Sequence, residues 1–301
     1  MYIAAYYSFV CSAVKAAGRV GRHAPMQSIA VKKDNKPPKV FKAVITTSYK
    51  EIFAYRSQMA VSVFVQPIYF LVHYFIWRAI FQTREQVSGF TFDQMILYFA
   101  VSSLIEFLNW DNSGYTLQRL IQTGQFITFQ LRPVSHIYFS FFQKVGQRIL
   151  AFLIELIPVL CFYILFGVRF SPAMPFWALT SIILGFVMSF LIRYTIGTCA
   201  FWFVKTDGIS RAVLLFNGIC SGAFLPLNLY PEGFQKFLFF LPFQFASYVP
   251  VRVFIGHYEL AGMTMPIPRI VLVQAIMVAV MLLLNRALWY LGVKRFTGVG
   301  A

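Results

Sequence analysis

The chain has 301 residues, of which 59% are hydrophobic and 12% are charged. Its mean hydropathy of +0.68 excludes an ordinary soluble globular protein of this length. The composition predicts one all-α polytopic membrane protein, because a lipid-embedded segment satisfies its backbone hydrogen bonds as a helix. The formal charge of +16 comes from 26 Lys and Arg against 10 acids. A basic arm beside a hydrophobic span indicates a flank that faces anionic lipids in the cytoplasm, and we expect no nucleic-acid partner.

The N-terminal region precedes the first hydrophobic span and has two parts. We expect residues 1–37 to be a basic, disordered extension, because their second half is rich in Lys and Pro. From 38 to 58, apolar residues such as Phe41 and Val44 recur at helical spacing, and Lys39 and Lys42 fill the other side. This pattern is typical of an interfacial amphipathic helix, although a soluble helix docked on a partner would show the same pattern.

Residues 59–295 form the predicted membrane domain, and six of its stretches are apolar and long enough to cross a bilayer. The predicted spans are about Met59–Gln82, Phe92–Asn112, Ala151–Val168, Phe176–Phe203, Ala212–Tyr230 and Ile270–Leu291. Lys144 and Arg148 form a cationic approach to the third span.

The region Pro231–Gly256 is hydrophobic but broken by prolines. A seventh crossing here would place the basic C-terminus opposite the basic N-terminus, against the positive-inside bias. We therefore expect a re-entrant helical hairpin before the last span. Both termini and the loops 113–133 and 205–211 are then cytoplasmic.

Motifs for catalysis, nucleotide binding or metal binding do not occur in the sequence. Gly-Lys never appears, so the phosphate loop Gly-x-x-x-x-Gly-Lys-Ser/Thr is missing. The four histidines are far apart, the four cysteines show no metal-ligand spacing, and no nucleophile motif is present. We expect no enzyme activity, no catalytic residues, no metal site and no cofactor on this chain.

Glu106, Glu155 and Arg193 are ionisable residues that lie at membrane depth within the predicted spans. An unpaired charge at membrane depth costs about 2.5–3.5 kcal/mol even on insertion scales, so each should have a partner. From their distances to the span ends we predict a pair between Glu155 and Arg193. Its role is either an internal structural link or a polar element of a translocation path.

Two glycines in the predicted fifth span, Gly218 and Gly222, have the spacing that lets two membrane helices approach closely. They are candidates for a seam with a second membrane subunit. The same spacing also occurs by chance.

The segment Leu117–Pro133 places Leu117 and Leu120 on one helix face, followed by Gly124 and then by Leu131-Arg132-Pro133. A second set of short motifs begins with Gly222-Ala-Phe-Leu-Pro226 and continues with Tyr230-Pro231 and Leu241-Pro242-Phe243. With six spans and no ATPase motif, the chain resembles the permease subunit of ABC type-2 exporters over about residues 38–295.

This resemblance implies a permease that pairs with a second, identical or related permease and with separate ATPase subunits that hold ATP and Mg²⁺. It implies a plasma-membrane location, as in the bacterial inner membrane. It also implies that residues 117–132 form one coupling helix that docks on the ATPase. Its candidate contact residues are Leu120, Gly124, Phe126, Leu131 and Arg132.

Two points stay open at the level of sequence. Arg132 either pairs with an acidic residue of the ATPase or only follows the positive-inside bias. The alternative function is an ion- or proton-coupled secondary transporter that uses Glu106 and Glu155, for which internal inverted repeats would be expected. A membrane enzyme or scaffold has less support, because no catalytic constellation is present.

Overall fold

The computed structural model describes residues 45–46, 56–132, 134–203 and 207–296. The predicted extension 1–37 and most of the predicted interfacial helix 38–58 lie outside the described residues. Ile45 and Thr46 are helical, and the first long helix already begins at Arg56.

The described residues are predominantly helical. The helices are α1 Arg56–Phe81, α2 Phe92–Asn109, α3 Ser113–Gln122, α4 Phe126–Gln130, α5 His136–Ala151, α6 Ile157–Leu165, α7 Pro175–Thr198, α8 Asp207–Cys220, α9 Glu232–Phe239, α10 Tyr248–Ile255 and α11 Ile267–Arg295. A π-helical turn, Phe152–Leu156, joins α5 to α6, and 3-10 turns occupy Cys199–Phe201, Leu227–Leu229 and Pro242–Phe245. β1 Tyr258–Leu260 pairs antiparallel with β2 Met263–Met265.

Local signals in the sequence explain several helix ends. α2 begins with a capping box, in which Thr91 and Gln94 satisfy each other's backbone amides. Pro175 lies in the first turn of α7, where a missing N–H costs nothing. α10 ends at Gly256, whose φ of +93° is the left-handed conformation that glycine adopts without strain.

Four helical stretches of the described chain are long and apolar enough to cross a membrane: Val63–Phe81, His136–Leu165, Pro175–Phe201 and Ile267–Arg295. They correspond to the first, third, fourth and last predicted spans. The chain is therefore a mostly helical, multi-pass membrane protein, as its composition predicted.

The second and fifth predicted spans are shorter than the sequence suggested. α2 ends at Asn109 and carries two acids, Asp93 and Glu106. α8 ends at Cys220 after 14 residues, about 21 Å, which is less than the hydrocarbon core of a bilayer. The chain turns away there because Gly222 has a φ of +80° and Pro226 follows. The helices of the described residues therefore do not confirm six separate long spans.

The third predicted span begins 15 residues earlier than predicted, at His136 instead of Ala151. Lys144 and Arg148 consequently lie within the helix and not on its approach. The helix continues through these cations because both find partners inside the bundle, as described below.

The region 231–256 contains two short helices, α9 and α10, of eight residues each. The 3-10 turn Pro242–Phe245 lies between them, and a small β-hairpin that was not predicted follows. Short helices are what the prediction of a re-entrant hairpin requires. Their depth in a membrane stays a prediction.

The two ends of the helix bundle differ. At one end, which we call the hairpin end, loops contact neighbouring segments: Asn228 Nδ2 donates to Ser88 O at 3.0 Å, and Ala173 N donates to Phe254 O of α10 at 3.2 Å. The opposite end, which holds α4 and the C-terminal ends of α7 and α11, we call the α4 end.

α7 and α11 run parallel through the core and are joined by buried amide side chains. Gln274 accepts from Ser181 Oγ at 2.7 Å and donates to Phe245 O at 2.9 Å. Closer to the α4 end, Asn285 Nδ2 donates to Leu191 O at 3.0 Å. Polar side chains can join membrane helices in this way because lipid offers no competing partners.

Replacing Gln274 by Leu should lower the free energy of unfolding in detergent by about 1–3 kcal/mol, because the Phe245 carbonyl and the Ser181 hydroxyl would remain buried without partners. The matched control is Leu272→Met on the same helix, at a position that is 61% exposed. Its effect should stay within about 0.5 kcal/mol. Equal losses in the two variants would contradict this role of Gln274.

Candidate functional site

α2 and α3 are separated by a break at Trp110–Asn112, which we call the joint. Trp110 has a ψ of 124°, an extended value that ends α2. The side chain of Asp111 then turns to α3, where its Oδ1 accepts hydrogen bonds from the backbone N–H of Ser113 at 2.7 Å and from the Ser113 hydroxyl. A carboxylate at a helix N-terminus satisfies a free amide and interacts favourably with the helix dipole.

Lys144 of α5 holds this joint from the side. Its Nζ lies 3.2 Å from Asp111 Oδ2, and the two side chains are 2% and 1% exposed. The ammonium also lies 2.9 Å from Ser189 Oγ and 3.2 Å from Phe186 O on α7. The ammonium thus donates two hydrogen bonds to α7 and forms an ion pair with Asp111. Ser189 is near the middle of the apolar stretch Pro175–Phe201, so the ion pair lies at mid-span depth.

Arg148, one turn after Lys144, binds the end of α2. Its Nη1 donates to Phe107 O at 3.0 Å. Carbonyls in the last turn of a helix lack helical partners, and a cation there also interacts favourably with the helix dipole. Arg148 and Lys144 therefore hold the end of α2 and the joint from one face of α5.

Three further charged groups, Glu106, Glu155 and Arg193, lie near Lys144 and Arg148. Arg193 is the cation with the largest electrostatic effect on Glu106. Glu155 is the acid with the largest effect on Arg148, which lies two helical turns earlier on the same helix face. Glu106 thus lies near Arg193 and Glu155 near Arg148, and the predicted Glu155–Arg193 pair stays a prediction. We call the six groups the charge cluster: Glu106, Asp111, Lys144, Arg148, Glu155 and Arg193.

α3 lies directly against α7 because two glycines meet. A Cβ on Gly114 would collide with the backbone carbonyl of Arg193, and a Cβ on Gly197 would lie 2.5 Å from Gly114 O. Any side chain at either position would therefore push the helices apart. Leu117 of α3 is also fully buried. α3 is consequently part of the helix bundle and not a free loop.

The predicted coupling helix 117–132 is two helices, α3 and α4, separated at Gly124. Gly124 has a φ of +71° with open space around it, so its conformation, and not close approach to a neighbour, requires glycine. Leu120 is half-buried in α3. The prediction that residues 117–132 form one continuous coupling helix is therefore wrong.

α4 is anchored by aromatic rings at the α4 end. Phe126 is buried against the rings of Phe201, Trp289 and Phe296 at distances of 5.3–5.6 Å between ring centroids. Phe126 is thus an anchor of α4 and not an accessible contact residue. On the other side of α4, Leu131 is 83% exposed and Ile127 is 47% exposed.

Arg132 follows α4 at the edge of a cavity of about 220 Å³. Its guanidinium lies 5.0 Å from the centre of the Phe129 ring and 5.7 Å from that of Phe139. Such cation–π contacts orient the group while leaving its N–H donors available. His136 and Trp289 line the same cavity with their rings stacked.

Gly218 and Gly222 pack within the chain. The ring of Phe224 fills the space over Gly218. Gly222 lies against Tyr98 and Tyr248, and its carbonyl accepts from the Tyr98 hydroxyl at 2.7 Å. Cys220 between them is fully buried. The contacts of these glycines are therefore with their own chain, and a seam with a second subunit at this place stays a prediction.

Sequence reasoning missed the joint and the role of Lys144. A signal for the joint is present, because Asn109-Trp-Asp-Asn-Ser-Gly114 is rich in residues that compete with helical hydrogen bonds. For Lys144 the sequence indicates only a flanking cation, since its three acceptors come from segments about 30–45 residues away, which hydropathy alone does not reveal.

Comparison with known families decides the class of this charged, multi-pass bundle. Residues 68–300 match the family described as ABC-2 family transporter protein. The chain belongs to this family. No curated protein and no solved structure shows a significant match. Membership makes this ABC-2 protein a membrane transport protein and does not favour the ion-coupled carrier built on Glu106 and Glu155.

Replacing Gly114 by Ala should destabilise the ABC-2 protein by about 1–3 kcal/mol, because the added methyl group meets backbone that has no room to move. Gly208→Ala is the control, since Gly208 is in a helix with nothing near its missing Cβ. That control should be neutral or stabilising. Thermal unfolding in detergent measures both, and an unchanged midpoint for Gly114→Ala would contradict the close contact of α3 and α7.

Proposed function

We propose that this chain is the permease subunit of an ATP-driven exporter and forms half of the translocation path with a second permease, identical or related. The proposal rests on one observation above all. The α4 end presents an anchored amphipathic helix with exposed apolar residues, on a transport protein whose sequence contains no nucleotide-binding motif.

The exposed side of α4 suits a protein partner more than lipid alone. Leu131 is exposed beside the oriented guanidinium of Arg132. The segment 113–135 contains no Asp or Glu, and other exposed cations at this end are Arg119, Lys294 and Arg295. A partner groove with an apolar floor and carboxylates at its rim would complement this surface. We assign that groove to a separate ATPase subunit, which holds ATP and Mg²⁺.

The positive charge also orients the protein in our proposal. Cytoplasmic flanks of membrane helices carry excess Lys and Arg, so the α4 end faces the cytoplasm and both termini lie on that side of the plasma membrane. α2 and α3, with 18 and 10 residues or about 42 Å of helix, together make the second crossing. α8 and the short helices that follow it make the fifth crossing and a re-entrant element, which gives six crossings in all.

The test is co-purification of ATP hydrolysis with the tagged chain from its native membranes. Replacing the exposed Leu131 by Asp should lower the co-purified ATPase activity by about tenfold or more, because a carboxylate would enter an apolar contact. Folding should be preserved, since the Leu131 side chain contributes little to the core.

Leu165→Asp is the matched control, because Leu165 is 88% exposed and lies at the C-terminal end of α6, away from the α4 end. It should retain the ATPase activity of the wild-type preparation. If the wild-type chain carries no ATPase in any detergent that keeps it folded, the proposal is contradicted. Equal loss in both variants would refute docking at the α4 end.

A further inference from the structure

The α4 end is connected to the centre of the bundle by α3. Residues 123–125 link α4 to α3, and α3 packs on α7 through Gly114 and Gly197. Because neither glycine tolerates displacement toward the other helix, α3 and this part of α7 behave as one body. A force on α4 therefore reaches the joint at the N-terminal end of α3.

The joint itself has little backbone support. Across Trp110–Asn112 the nearest helical bonds are Trp110 N to Phe107 O at 3.4 Å, which is long, and Thr116 N to Asn112 O at 2.9 Å. Side chains supply the other contacts that hold the joint: Arg148 donates a hydrogen bond to the Phe107 carbonyl, and Lys144 forms an ion pair with Asp111. α5 thus adds to the contact with α7 in fixing the position of α3 relative to α2.

A buried ion pair is a poor means of stabilisation, because desolvation of the two charges offsets much of their attraction. Apolar residues of the same volume are often equally stable. They would not, however, provide an acceptor for the first amide of α3 and a partner on α5 at once, as Asp111 does. A pair of this kind is better suited to specifying one geometry than to adding stability.

We propose that Asp111 and Lys144 are positioning residues. Their ion pair fixes the joint, so that α3 and α7, which move together, keep one position relative to α2 and α5. Movement of α4 is then passed through α3 to the charge cluster at mid-span. Only this last step rests on the proposed function. The position of the joint is a property of the chain alone.

The first experiment measures hydrogen–deuterium exchange of the full chain in lipid nanodiscs. In Lys144→Met, the buried carboxylate of Asp111 loses its partner, and amide exchange in Ser113–Gln122 should rise about 100-fold. In the double variant Asp111→Asn with Lys144→Met, no charge of the pair is left, and the amide side chain introduced at the joint can still cap α3. The fold should survive, and exchange in α3 should rise about tenfold.

Ser189→Ala is the matched control, because it removes one acceptor from the same ammonium and leaves the ion pair in place. Its α3 exchange should stay within about threefold of wild type. Unchanged α3 exchange in the double variant would overturn the proposal. An equal rise in α3 and in α9, a helix near the hairpin end, would also overturn it, because the pair would then serve general stability only.

The second experiment uses the complex with its ATPase and compares exchange in α2 with and without ATP and Mg²⁺. Wild type should show a nucleotide-dependent change in α2. The double variant should bind the ATPase and hydrolyse ATP but lose that change by about fivefold or more, which is the scale of a typical coupling between sites. A full response in the double variant would refute the coupling step. Absence of any ATPase from wild type would instead refute the proposed function and leave the exchange result on the chain alone intact.

Discussion

Lys144 carries an ammonium group at mid-span depth, where lipid offers no acceptor, and its ion pair with Asp111 and its two hydrogen bonds to α7 organise the centre of this protein. Two acceptors come from α7 and one from Asp111. Asp111 reaches Lys144 only because the helix ends at Asn109 and restarts at Ser113. The break, the burial of α3 and the early start of α5 therefore belong to one arrangement.

Charge balance extends this arrangement to its neighbours. The charge cluster has three carboxylates and three cations, so its formal charge is zero. Neutrality lowers the cost of burying charge, but only with close partners for each group. Glu155 lies in a π-helical turn of the helix that carries Arg148. Such turns are rare and occur often at functional positions. Here Leu156 of the turn packs with Phe107, near the end of α2.

The cluster and the α4 end have different chemistry but share α3. At the α4 end aromatic rings hold α4 by its buried side and leave Leu131 and Arg132 outside. At the centre, hydrogen bonds and ion pairs hold the joint. Aromatic contacts tolerate sliding more than a hydrogen-bonded ammonium does, because dispersion contacts are individually weak and not directional. The α4 end is thus the more adaptable of the two.

Much of the fold is predictable from the sequence, because long apolar runs specify membrane helices without tertiary information. α1, α7 and α11 lie close to their predicted bounds for this reason. The span predicted around α8 is too long, since Gly222 and Pro226 fit a family motif but also stop the helix. The span predicted around α5 starts too late, because a hydropathy argument treats each buried cation as a helix flank.

The candidate site is predictable only in part. Glu106, Glu155 and Arg193 stand out because charges in apolar runs are conspicuous. Their partners cannot be read from the sequence, because pairing depends on which helices face each other. One sequence contains no information on contacts between distant segments. The exposed residues Leu131 and Arg132 came from the family resemblance. The buried anchor Phe126 could be separated from them only with the structure.

The most direct test of this account is an electron cryomicroscopy structure of the chain in a lipid nanodisc together with its ATPase. We predict the ATPase against α4 at the α4 end, with α2 and α3 separate and Lys144 within hydrogen-bond distance of Asp111 at the centre of the bilayer. An ATPase bound at the hairpin end, or one continuous helix through residues 92–122 with Lys144 away from Asp111, would contradict it.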